Sequence, residues 1–318
     1  GAGLDGNVYL MGYKNWLKRL GPDLKARPFP NGGKNGLASP DGIGTLRLRS
    51  RGVTADPAGN IFALWQENKK GPIGPSNYLA KHGPDGKPLV PKLIECQTRF
   101  IQSPRLDYQG NIYVAVTGRP SGGKVLPSGL DGQDLGKSFV KGQEPVGADW
   151  YEMMYGCILK FGPEGGKLMR QGNGGMSLED GRTSRAKYTR KLHVSGAKWV
   201  FHGSSPLPGW EDGGGRVSCG CESPRFDVDG FGRSFFPDAC LFRCGVIDTA
   251  GNEVCWFGSY GSVDSGGPKS SVPAPEIPLL WPYCVAVGNS RVYVGDRLNR
   301  RVVAVRIDYA CEETVGVR

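Results

Sequence analysis

The sequence lacks long apolar runs and is poor in histidine. None of its hydrophobic stretches approaches the roughly eighteen residues of a membrane-crossing helix, which excludes a helical span. The chain opens at GAGLDGNVYL with no charged-then-apolar leader, so a soluble chain, processed or trimmed at its start, is expected. There is no dense Lys/Arg tract, no recognition helix and no zinc-finger spacing, and these absences argue against a nucleic-acid partner. A Gly-rich phosphate loop between strand and helix, a serine-hydrolase elbow and a haem motif are also missing. With three histidines in all, each must be weighed singly.

What is present is turn chemistry. Glycine at 51 and proline at 24 are high, and the 38% of hydrophobic residues fall in short runs between turn residues, the pattern of many short strands. At 318 residues the chain has room for two ordinary domains or one large β domain. Nine cysteines, an odd number, point to an oxidising compartment, extracellular or periplasmic, without making a miniature disulfide scaffold. The net charge of +10 draws an anionic partner, and an acidic polysaccharide or other small ligand fits a secreted basic protein.

A strand, Gly turn, strand unit recurs at GLDGNVYLMG from 3, GVTADPAGNIFALW from 52, SPRLDYQGNIYVAV from 103, SPRFDVDGFGRSFF from 223 and YCVAVGNSRVYVGD from 283. A second unit follows the first at WLKRLGPDLK from 16, YLAKHGPDGK from 78, CILKFGPEGG from 157 and FRCGVIDTAGNE from 242. Each reads as a hairpin, because Gly and Asn accept the positive φ of tight turns. Two hairpins make four antiparallel strands, the unit of a propeller blade. Asn7 to Asn60 is 53 residues and Asn60 to Asn111 is 51, close to the roughly 40 to 50 of a blade. The expected fold is an all-β propeller filling 1–318 as one domain, with five blades counted, room for a sixth, and insertions over about 117–156 and 170–216.

The segment GDRLNRRVVAVRID, 295 to 308, resembles the second half of an NHL repeat, with Asp296, Asn299 and Arg301 in an Asp-x-x-Asn-x-Arg frame. The Ser-Pro-Arg and Gly-Asn units resemble first halves, and 219 to 262 is similar to uncharacterised secreted bacterial NHL-like proteins. The resemblance implies a propeller and, for Asp296, a role in fixing its loop through Asn299 and Arg301. Activity is left open, since such propellers include binding scaffolds, lyases and hydrolases. A zinc lyase of the peptidylglycine-amidating kind needs three histidines from separate blades, a pattern from which this chain departs.

In a propeller the loops after each second strand and before each first strand open on one face, where function gathers. Candidate ligand-binding residues there are Arg99, Arg119, Arg225, Arg297 and Arg300, whose guanidinium forks fit carboxylates and sulfates, with Trp150 and Tyr151 as flat surfaces for sugar rings. Arg105 and Arg225 repeat at equivalent positions, which argues for a structural part as well. Catalytic candidates are Tyr151, His193, His202 and Glu222, the two histidines lying in an insertion expected to roof the loop face. Cys219, Cys221, Cys240 and His202 form a candidate soft-metal site for copper or zinc, against the plainer reading of separate disulfides or buried thiols. His82 replaces Leu20 and Phe161 in the LGPD, HGPD and FGPE turns and reads as structural. Cys244 and Cys255 flank the IDTAGN turn in facing strands and read as a buried pair or a disulfide.

Three functions stay open from sequence: a module binding an anionic or carbohydrate ligand, an enzyme on the same face, and an interaction module of a larger assembly. The enzyme would be a polysaccharide lyase or hydrolase, or a metal-dependent oxidoreductase at Cys219 and Cys221.

Overall fold

The computed structural model describes residues 1–12, 16–34, 36–40, 46–67, 76–97, 101–120, 156–172, 176–180, 191–204, 225–262, 265, 270–271, 273–288 and 290–308. Among them there is no α-helix. The strands are β1 (Val8–Gly12) and β2 (Trp16–Leu20); β3 (Leu46–Ala55), β4 (Ile61–Glu67), β5 (Asn77–His82) and β6 (Pro88–Cys96); β7 (Ile101–Leu106), β8 (Ile112–Pro120) and β9 (Gly156–Phe161); β10 (Gly166–Met169), β11 (Met176–Asp180), β12 (Lys191–Ser195) and β13 (Ala197–Ser204). There follow β14 (Asp227–Val228), β15 (Ser234–Asp238), β16 (Arg243–Ile247) and β17 (Glu253–Phe257); β18 (Ser259–Tyr260) and β19 (Pro278–Leu279); β20 (Pro282–Val287), β21 (Arg291–Asp296) and β22 (Arg301–Arg306).

Antiparallel pairing groups them into successive units: β1–β2, β3–β4–β5–β6, β7–β8–β9–β13, β14–β15–β16–β17 and β20–β21–β22. The described parts of the nine hairpin sequences found by repetition lie on these strands and their turns. One expectation fails in the third unit. The strand after GPEGG does not return along β9; β10 runs parallel to β6 and antiparallel to β12, while β13 takes the outer place beside β9. The stretch 191–204, expected to roof the loops, is therefore sheet. Its alternation explains this: Leu192 and Val194 are buried between half-buried or exposed neighbours, the mark of a strand with one covered face.

The turns explain why the hairpins were legible. In eight of them, among the described residues, the fourth residue donates its N–H to the carbonyl of the first: Gly6, Leu24, Gly59, Gly86, Gly110, Gly165, Gly232 and Gly251. All eight have positive φ, from 59° to 94°. A Cβ in this left-handed region costs about 1 kcal/mol, so glycine is the natural occupant and Leu24 the exception. Where the turn begins with Asp, the carboxylate reinforces it. Asp107 accepts from the Gln109 N–H at 3.0 Å, the Asn111 N–H at 2.9 Å and the Asn111 amide at 2.7 Å; Asp56, Asp229 and Asp248 likewise accept the N–H of the residue four places on.

The core lies between the sheets. Residues 61–66 of β4 are all buried, yet Phe62 and Leu64 join one apolar cluster while Ile61, Ala63 and Trp65 join another. In β8, Ile112, Val114 and Val116 face one cluster and Tyr113 and Ala115 the next. Sheets covered on both faces must be stacked face to face, and each fully buried side chain of this kind stabilises by about 2 kcal/mol. Four clusters thus separate five successive units; the first strands β3, β7, β14 and β20 pack side by side in that order, and β1, which follows the opening turn of the first unit, packs beside β3. The arrangement is all-β and propeller-like. Among the described residues no buried apolar cluster joins the fifth unit to the first.

Polar ties run between units as well. Arg105 of β7 meets Asp227 of β14 at 2.5 Å, and Asp227 also accepts the Val287 N–H of β20 at 2.8 Å. This corrects the equivalence of Arg105 with Arg225. The turn-forming aspartates are Asp107 and Asp229, so the structural counterpart of Arg105 is Asp227 and the two Ser-Pro-Arg frames are out of step by two residues. The mismatch arises because SPRFDVDG offers two aspartates and only the second can begin a turn with Gly232 at its fourth place.

Candidate functional site

Because hairpin turns occupy one end of each unit, the 2-to-3 loops and the approaches to each first strand share the other end. There the fifth unit builds a cavity of about 410 Å³, lined by Tyr283, Gly295, Asp296, Arg297, Arg300, Arg301 and Val302. Tyr283 stands at the start of β20, and the loop 297–300 joins β21 to β22. Arg225, in the approach to β14, joins them: it bridges to Cys284, and its guanidinium lies 4.0 Å from the centre of the Tyr283 ring. The Arg297 guanidinium lies 5.6 Å from the same centre. Of the five arginines singled out from sequence, Arg225 and Arg297 thus meet on one tyrosine, and Arg300 lines the same cavity.

Asp296 is fully buried and holds the loop rather than the ligand. One carboxylate oxygen accepts the Leu280 N–H at 3.1 Å and the Trp281 N–H at 2.9 Å; the other accepts the Asn299 amide at 2.7 Å and Arg301 Nε at 3.3 Å. Asn299 and Arg301 also donate to the carbonyls of Gly261 and Pro278. The Asp-x-x-Asn-x-Arg frame therefore does what the resemblance implied. With both oxygens committed, Asp296 is no proton acceptor for a substrate. Among the described residues the cavity is lined by arginines and no lysine, and a planar fork matches carboxylate, sulfate or phosphate geometry where an ammonium does not.

Other expected residues are not brought to this place. His202 pairs with Cys157 across β13 and β9, its Nδ1 3.1 Å from Sγ, and burial pulls its pKa down to about 4. Burial pushes the Cys157 thiol up, the reverse of what a nucleophile needs. His193 lies in β12 opposite Ser177 and Met169. His82 is buried, 3.1 Å from the Ala38 carbonyl and tilted against Trp65, a structural histidine as expected. Cys244 and Cys255 are both free thiols, one buried and one exposed, so the expected pair is absent. The register explains it: Cys244 faces Phe257 and Cys255 faces Val246, a diagonal too long for a disulfide. Among the described residues no disulfide is formed, so the compartment expectation has none there to carry it.

Arg99, Trp150, Tyr151, Cys219, Cys221 and Glu222 lie outside the described residues, as do the side chains of Arg119 and Cys240. Among the described residues no three His, Cys, Asp or Glu side chains are grouped to hold a metal ion, and no helix is long and apolar enough to cross a membrane. Sequence reasoning missed Tyr283 and Val302. The signal for Tyr283 was its place at the head of a repeated first strand, directly beneath the loop face.

No family model matches the chain, and no curated protein does. Solved structures similar to it include a protein of unknown function from Bacteroides caccae, 11% identical with a TM-score of 0.40, covering 96% of this chain and 76% of that one. The calcium-binding protein regucalcin from Agrobacterium tumefaciens is 12% identical with a TM-score of 0.37; the likeness covers 92% of this chain and 65% of regucalcin's length. A streptogramin B lyase is 11% identical with a TM-score of 0.30, covering 97% of this chain and 82% of that one. None reaches a TM-score of 0.5, and the functional reading rests on the chain's own geometry.

Proposed function

We propose that this chain is a β-propeller of five blades that binds an anionic ligand at its loop end, in the cavity between Tyr283 and the loop 297–300. The observation that carries the reading is the meeting of Arg225, from the approach to β14, and Arg297, from the β21–β22 loop, on the Tyr283 ring, with Arg300 of that loop lining the same cavity beside a carboxylate already committed to the fold. Glycans bearing carboxylates or sulfates are the class to test first, since the net charge of +10 draws polyanions and the tyrosine ring offers a flat apolar surface.

Calorimetric titration with uronate-containing and sulfated oligosaccharides, beside neutral ones of equal length, tests it. Binding is expected for the charged set alone, weakening as salt rises, and Arg297→Ala is expected to lower affinity about tenfold or more, the worth of one charge-assisted bond. Equal affinity for charged and neutral glycans would sink the reading.

A further inference from the structure

The loop 297–300 repeats the form of the eight hairpin turns at the other end of the units. Arg300 donates its N–H to the Arg297 carbonyl at 3.1 Å and has φ of 52°, in the left-handed region. Seven of those eight turns place glycine there. Folding alone would favour glycine at 300 too, because the loop is locked by Asn299 and Arg301 on Asp296, and Arg300 takes no part in that lock. Leu24 and Phe242 share such a backbone, so strain alone does not single out Arg300; the place of its side chain does. What Arg300 supplies is a guanidinium on the wall of the cavity, beside Arg297 and Tyr283.

The rest of the wall describes the ligand's other end. Val302 lines the cavity and is 68% exposed, and Leu298, at the tip of the same loop, is 57% exposed. Apolar groups left open beside a cluster of guanidiniums suit an ion with an uncharged body, not a bare inorganic one. Resting on the anion-site reading above, we infer that Arg300 grips the ligand's charged group through its fork, and that the ligand is an organic oxyanion, a carboxylate, sulfate ester or phosphate ester, whose uncharged body lies along Tyr283 and Val302.

The test uses the whole chain and four small probes: 4-nitrophenyl glucuronide, 4-nitrophenyl sulfate, 4-nitrophenyl phosphate and uncharged 4-nitrophenyl glucoside, with inorganic sulfate as the bare ion. Urea unfolding is followed in parallel. Arg300→Gly is expected to be at least as stable as wild type while binding the preferred charged probe at least tenfold more weakly. Arg300→Lys, which keeps the charge and loses the fork, is expected to stay at least threefold weaker. Leu24→Gly relieves the same strain at the opposite end and is expected to leave affinity unchanged. Wild-type affinity in Arg300→Gly overturns the role of Arg300 while the anion site stands; wild-type affinity in Arg300→Lys overturns the fork. Inorganic sulfate binding as tightly as the nitrophenyl probes overturns the ligand class. If wild type binds none of the charged probes, this inference and the anion site fall together.

Discussion

Acid should weaken this chain through its buried histidines, and at His202 the geometry sets the size of the effect. Cys157 is completely buried, with its Sγ 3.1 Å from His202 Nδ1, a setting away from water that disfavours the charged imidazole. Burial lowers His202 from the ordinary 6.5 to about 4. The unfolded chain therefore takes up a proton near pH 6.5 that the fold refuses until about pH 4. Stability from this group is complete above pH 6.5 and is lost as pH falls towards 4, by up to about 3 kcal/mol at 1.36 kcal/mol per pH unit. His202→Asn offers an amide oxygen near Nδ1 and does not titrate. Urea unfolding of both chains from pH 4 to 8 isolates the effect, because the carboxylates they share cancel in the difference. The wild-type minus variant stability should be flat above about pH 7 and fall below it; a difference that stays flat to pH 4 refutes the buried neutral imidazole. The thiol supplies a second limb of opposite sign. Burial raises its folded-state pKa, so stability should also fall as pH climbs past about 8.5, where an unfolded cysteine ionises. Cys157→Ser should shrink that limb, to which Cys244 and Cys255, also raised by burial, contribute the remainder.

Two further variants probe the ties between units. Lys160 is buried beside Tyr113, donates to the Thr249 carbonyl at 2.8 Å and lies 3.9 Å from Asp107, so it links the third unit to the fourth; burial pulls its ammonium below the ordinary lysine range. Lys160→Met keeps the stem and strands its partners, and urea unfolding should register a loss of about 2 to 3 kcal/mol, with a loss below 0.5 kcal/mol counting against the tie. Asp107→Ala removes a carboxylate that serves two backbone N–H groups, the Asn111 amide and, at 2.9 Å, the Tyr113 hydroxyl in a buried setting, at a cost of about 3 kcal/mol. The same change at the solvent-exposed Asp248 turn should cost about 1 kcal/mol, and equal losses at the two sites would show that burial does not set their worth.

The hairpins could be read because a fourth-place glycine with positive φ and a leading aspartate are demands of the backbone, written in residue types. Hence Asp56 to Asn60, Asp107 to Asn111 and Asp248 to Asn252 were visible without a structure. Register was not so readable where the chain offers two answers. Asp227 and Asp229 both suit a turn, and the choice depends on Arg105, 122 residues earlier, which needs Asp227 for itself. The outer strand of the third unit was hidden for a related reason, since the return after GPEGG and the stretch 197–204 are both strand-like, and only the competition for the edges of β6 and β9 decides between them. Side-chain pairing across strands asks still more. Cys244 and Cys255 lie in facing strands, as their spacing says, yet a two-residue offset sends their thiols to different neighbours.

The cavity combines both cases. Its arginines were legible as loop-end cations, because loop position follows from hairpin count. What was illegible is that Arg225 reaches Tyr283, 58 residues on, since that contact depends on how neighbouring units pack. Nor does Asn-Arg-Arg reveal that the first arginine is the strained one. The frame predicts which residues hold the loop, Asp296, Asn299 and Arg301, and by subtraction leaves Arg300 for something other than folding. That subtraction is where sequence and structure meet, and the left-handed backbone at Arg300 gives it a physical sign.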